Sequence, residues 1–88
     1  VWVDARSDPA FREDRIPGAV PLNEDRWESL IGGFIAVWRP GLRVVVYCDS
    51  QECDASQHVA LRLRRELSID EVYVLSGGWS EWQKAQSK

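Results

Sequence analysis

Eighty-eight residues make one domain at most, and an apolar fraction of 44% with 28% charged residues of mixed sign excludes a disordered chain. A net charge of −3, with no Lys/Arg stripe interleaved with aromatics, argues against a nucleic-acid surface. No apolar run approaches the ~20 residues of a membrane span, and two cysteines are too few for a disulfide scaffold, so the compartment stays open, with a cytoplasmic one favoured.

The chain opens on "VWVDAR" (Val1 to Arg6), apolar and β-branched, which predicts a strand. Nothing precedes this strand, so residues 1–88 are expected to be a single domain taken from a longer protein, and a missing leader carries little weight. In "SDPAFRED", Asp8 is expected to cap a short helix with Pro9 at its first position. "RIPGAVPL" (Arg15 to Leu22) reads as loop or extended chain. From Asn23, a helix is predicted with Trp27, Leu30 and Ile31 on one face, interrupted or ended by Gly32-Gly33. "FIAVW" (Phe34 to Trp38) resumes it, and Arg39-Pro40-Gly41 turns the chain.

"LRVVVYC" (Leu42 to Cys48) suits a central parallel strand covered on both faces. A polar loop follows, then a helix from about Asp54 to Leu67 with Ala55, Val59, Ala60, Leu63 and Leu67 on its apolar stripe. Asp54 and Gln57 resemble a capping box. Arg62, Arg64 and Arg65 read as a solvated face of that helix. "EVYVLSGG" (Glu71 to Gly78) is a strand ending in a glycine turn, and "WSEWQKAQ" (Trp79 to Gln86) a last helix with Trp79 and Trp82 inward. Strands alternate with helices, so the expected class is α/β with a mostly parallel central sheet flanked by helices on both faces.

Chemistry concentrates at Cys48. In open parallel sheets, sites lie beyond the carboxyl ends of strands, and Cys48 is placed at such an end ahead of a helix. Amides of the loop and the first helical turn can converge there on a thiolate or a persulfide. A helix end contributes about 0.3–1 kcal/mol, up to ~2 when partly buried, or roughly one pKa unit. Asp49, Glu52 and Asp54 oppose that shift, so less activation is expected than beside a basic loop. Taken alone, Cys48 would read as a small buried hydrophobe ending a core strand.

The order of several blocks changes that balance. "VDAR", "FREDRIPGAVPL", "VVVYC" and "VYVLSGGWSEW" resemble, in sequence, the opening strand, the "GHIPGA" segment, the cysteine-bearing strand and the closing glycine-tryptophan signature of rhodanese domains. The resemblance covers nearly the whole chain. It implies the rhodanese-like α/β fold and sulfane-sulfur transfer through a persulfide on Cys48, with Asp49, Ser50, Gln51, Glu52, Cys53 and Asp54 as the loop holding the terminal sulfur. It implies a small sulfur donor or a protein persulfide donor, a thiophilic acceptor, no cofactor and no metal. Related phosphatases use one residue more and close the loop with arginine. Here that position is Asp54, which disfavours phosphate.

The departures are Cys53 where arginine is frequent, Gln51 where glycine is frequent, and Asp14-Arg15 in the "GHIPGA" segment. Asp49 and Glu52 also make the loop acidic. Thiosulfate is a dianion, and carboxylates within about 8 Å are hardly screened at physiological salt, so a neutral or protein-bound persulfide fits better as donor.

Cys53 is a candidate resolving cysteine that could form a reversible disulfide with Cys48; the alternative places it in the core beneath the helix start. Cys48, Cys53 and His58 are too few for a structural zinc site, and His58 reads as solvated. Asp4 and Arg6 read as structural residues near a strand end. Trp38 is expected to be exposed and to contact the rest of a longer parent protein. Two rivals accompany the sulfur-transfer reading: a dithiol redox or sensor module using Cys48 and Cys53, and a non-catalytic interaction domain.

Overall fold

The computed structural model of the chain describes residues 1–49 and 54–86. In chain order the elements are β1 (Trp2–Asp4), α1 (Asp8–Glu13), β2 (Val20–Pro21), a 3-10 turn (Glu24–Arg26), α2 (Trp27–Val37), β3 (Val44–Tyr47), α3 (Ala55–Glu66), β4 (Val72–Val74) and α4 (Gly78–Gln86). The four strands form one parallel sheet in the order β2-β1-β3-β4. Among these described residues, no helix is long and apolar enough to cross a membrane.

Alternation along the strands divides the core in two. Val3, Val44, Val46 and Val72 face one side and meet Trp27 and Phe34 of α2 and Val59, Ala60 and Leu63 of α3. Trp2 and Tyr47 face the other side, where Ile16, Ala19, Phe11, Leu75, Trp79 and Trp82 gather. Both faces of the sheet are therefore covered, as a run of valines in β3 requires. Each fully buried valine contributes roughly 1.5–3 kcal/mol relative to exposure.

Local signals agree in part. Ser7, not Asp8, caps α1: its side chain accepts from the Ala10 amide, and Pro9 sits in the first turn behind it. Asn23 caps the 3-10 turn by accepting from the Arg26 N–H at 3.0 Å. Gly32-Gly33 neither ends nor interrupts α2, because Trp27 and Phe34 are buried on either side of the pair and hold the helix through it. Asp54 precedes α3 without a side-chain capping bond, so the expected capping box is not formed. Trp38 is half-buried: it stacks on Phe34 at 6.5 Å, and its indole N–H donates to the Leu42 carbonyl.

Candidate functional site

The chain leaves β1 for β2 on one side, and from β2 it crosses back over β1 to reach β3 on the other. Open α/β sheets leave a crevice at such a switch point, beyond the carboxyl ends of the two strands. Here the segment after β1 supplies Arg6, and the segment after β3 supplies Cys48 and Asp49.

Arg6 is held by a buried network. Its backbone N–H donates to Asp4 Oδ1 at 2.8 Å, and its Nε and Nη2 donate to the two carboxylate oxygens at 2.8–3.1 Å. Nη2 also donates to the Asp14 carbonyl at 2.5 Å. Register places Asp4 beside Tyr47, whose hydroxyl donates to Asp4 Oδ2 at 2.9 Å and accepts from the Ile16 N–H at 3.1 Å. Burial pushes the Tyr47 phenol up to about 12, and the Asp4 carboxylate adds to that rise. Burial works against the Arg6 charge, but hydrogen bonds and attraction from Asp4 outweigh it and hold the guanidinium above its ordinary value. The guanidinium lies 4.6 Å from the Trp79 ring centroid, a cation–π contact. Asp4 and Arg6 are thus structural groups near the strand end, and Arg6 also reaches the mouth of the crevice.

Cys48 follows the last residue of β3, at the carboxyl edge of the sheet. It is only 2% exposed, so the residue is buried although it stands at the strand's carboxyl end. It is also disulfide-bonded. The first turn of α4 holds the backbone at this point. The Trp79 N–H donates to the Cys48 carbonyl at 2.7 Å, and the Ser80 N–H and hydroxyl both donate to the Asp49 carbonyl at 3.0 Å. These amides have no partner within α4, so the helix start finds its acceptors in the cysteine segment. Asp49 points its 67%-exposed carboxylate 3.9 Å from Arg6 Nη1. Asp54 is exposed just before α3. Ser50, Gln51, Glu52 and Cys53 lie outside the described residues, and with them most of the expected sulfur-holding loop and the resolving-cysteine pairing.

A cleft of about 430 Å³ opens at Asp49, lined also by Arg6, Glu13, Asp14, Trp79 and Gln83. It shares Asp14, Trp79 and Gln83 with a second groove of about 390 Å³ that runs toward Arg15, Trp82 and Gln86. His58 is exposed, 3.6 Å from Glu24 across the other helical layer. Among the described residues, no group of three or more His, Cys, Asp and Glu side chains could hold a metal ion. Tyr47, Glu13 and Ser80 were not singled out from sequence. Tyr47 ends an apolar run and reads as core, and only the β1–β3 register reveals its bond to Asp4.

A doubly wound parallel sheet with a cysteine at its switch point defines the class of molecule. A family model for the rhodanese-like domain matches residues 1–85, and the chain belongs to that family. It is 34% identical over 85 residues to the thiosulfate sulfurtransferase GlpE of Shewanella oneidensis, covering 97% of this chain and 77% of that protein. Its fold is similar to the crystal structure of the BH2092 protein from Bacillus halodurans, with a TM-score of 0.80 at 22% identity over 98% of this chain. The chain spans 59% of the length of that protein.

Proposed function

We propose that this chain carries or transfers sulfane sulfur through a persulfide on Cys48. The observation that carries the reading is the place of Cys48: directly after the central strand, at the switch point, with α4 gripping its carbonyl. The named activity of the Shewanella relative supports the same chemistry. In the proposed reaction the Cys48 thiolate attacks the sulfane sulfur of a donor. The donor's S–S bond breaks, and the remainder leaves with the electron pair. An acceptor thiolate then attacks the outer sulfur, and Cys48 is returned as thiolate. Amides between Asp49 and Asp54 would hold the outer sulfur between the two steps. In reduced protein, the 2% exposure of Cys48 predicts slow alkylation compared with an exposed thiol.

The test is intact-mass analysis of reduced protein after treatment with thiosulfate or with a persulfide donor. The expected product is an adduct of about +32 Da, absent from Cys48→Ser, as follows if this thiolate is the nucleophile. No adduct from either donor sinks the proposal.

The disulfide at Cys48 favours a second reading, a dithiol that cycles with Cys53, the other cysteine of the chain. Cys53→Ser separates the two. Sulfur loading survives that substitution under the first reading, whereas under the second it abolishes peroxide-driven loss of free thiol.

A further inference from the structure

We infer that Ser80 is a positioning residue for the sulfur chemistry at Cys48: its hydroxyl fixes the backbone of Asp49, where the chain leaves the cysteine for the loop. The inference rests on the persulfide reading of Cys48 and adds the side chain that sets the geometry of that site.

Two features separate Ser80 from an ordinary residue in the first turn of a helix. One is direction. A serine at a helix start commonly offers its oxygen as an acceptor to that helix's own amides. Ser80 instead donates its hydroxyl out of α4, to the Asp49 carbonyl at 3.0 Å, across 31 positions of sequence. The other is convergence. The Ser80 N–H reaches the same carbonyl at 3.0 Å, so one oxygen receives two donors from one residue, one for each lone pair. Beside them the Trp79 N–H takes the Cys48 carbonyl at 2.7 Å. The two amide bonds follow from the fold, because the first N–H groups of a helix need acceptors outside it. The hydroxyl bond does not follow from the fold, since alanine at this place would form the helix at least as well. Of the three bonds it is the only one made by a side chain.

The consequence falls on Cys48 through the backbone. A carbonyl held by one donor can rock about that bond, and a second donor from another direction stops the motion. The peptide unit is planar, so fixing the carbonyl also fixes the course of the chain beyond Asp49. In the proposed reaction the amides between Asp49 and Asp54 hold the outer sulfur. A shift of about 1 Å in such groups can cost roughly 100-fold in rate. The Asp49 side chain offers little hold of its own, because its carboxylate is 67% exposed and 3.9 Å from Arg6 Nη1.

The test compares reduced wild type, Ser80→Ala and Ser80→Thr. Each is treated with inorganic polysulfide across a range of pH, growth of the Cys48 adduct is followed by intact mass, and urea denaturation is measured alongside. Ser80 is exposed, and alanine is the better helix former, so Ser80→Ala is expected to fold with little change in stability. Its loading should be slower by about 3- to 10-fold, the equivalent of one net hydrogen bond. Its pH profile should also move to higher pH, because loosened amides support the thiolate less. Ser80→Thr keeps the hydroxyl and should restore both rate and profile. Wild-type behaviour in Ser80→Ala overturns this inference and leaves the persulfide reading standing. So does a slowing that Ser80→Thr shares, or one that follows lost stability with the pH profile unmoved. Failure of the wild type to load any sulfur overturns both.

Discussion

At Tyr47 one hydroxyl joins three parts of the chain. It donates to Asp4 on β1, accepts from the Ile16 N–H in the segment before β2, and belongs to the strand that ends at Cys48. Asp4 and Arg6 were legible as structural residues near the strand end, but their partner Tyr47 was not, because partnership across a parallel register is invisible to a local pattern. Tyr47→Phe should destabilise the protein by about 1–3 kcal/mol at neutral pH, since the buried Ile16 N–H loses its acceptor. The substitution has a second signature. Tyrosine is an acid, and its folded value of about 12 lies above the unfolded value near 10, so the folded state holds the proton more tightly. That contribution is complete below about pH 10 and is lost as pH rises toward about 12. Urea denaturation across this window should show stability falling with pH in the wild type and a flatter course in Tyr47→Phe. Parallel slopes would remove Tyr47 as the titrating group.

Among the elements, α2 and α4 show the same residue type in opposite roles. Gly32 and Gly33 looked like a helix stop, and glycine does weaken a helix by about 1 kcal/mol relative to alanine. The helix continues because burial of Trp27 and Phe34 exceeds that penalty, and tertiary burial cannot be read from a dipeptide. Gly77 stands at φ +80°, before α4, and a Cβ there would lie 1.9 Å from Glu81 Cγ. Alanine should therefore act with opposite signs at the two places. Gly33→Ala, exposed and with nothing within 4 Å of the added carbon, should stabilise by roughly 0.5–1 kcal/mol. Gly77→Ala should destabilise by at least ~1–2 kcal/mol from the left-handed backbone alone. In a domain of this size each kcal/mol moves the melting temperature by about 4–8 °C, which calorimetry resolves. Gly77→Ala also disturbs the turn from which Trp79 and Ser80 hold the cysteine segment, so it should alter the rate of Cys48 alkylation in reduced protein. Gly33→Ala should not. Equal alkylation rates in both variants would argue that the α4 grip has no bearing on the thiol.

For the whole molecule, alternation of strands and helices already specified a parallel sheet with both faces covered, and the ordered motif blocks specified the family. Neither could specify how the cysteine segment is held, because Trp79 and Ser80, some thirty residues later, supply the amides that bond the Cys48 and Asp49 carbonyls. Charge is a property of the same scale, and it was legible. A net charge of −3, and the exposed Asp49 carboxylate directly after Cys48, place like charge near any anionic sulfur donor. Screening weakens such repulsion, and the screening length shortens from about 30 Å at 0.01 M salt to about 8 Å at 0.15 M. Loading of Cys48 by a dianion such as thiosulfate should therefore accelerate as salt is raised over that range, by roughly 3- to 10-fold. Transfer to a cationic thiol such as cysteamine should slow over the same range, because the net negative charge attracts it. Stopped-flow or quenched intact-mass measurements at constant pH would follow both steps in one series. Opposite salt slopes are the expected result. Slopes of the same sign would show that the field of the molecule does not govern access to the cysteine.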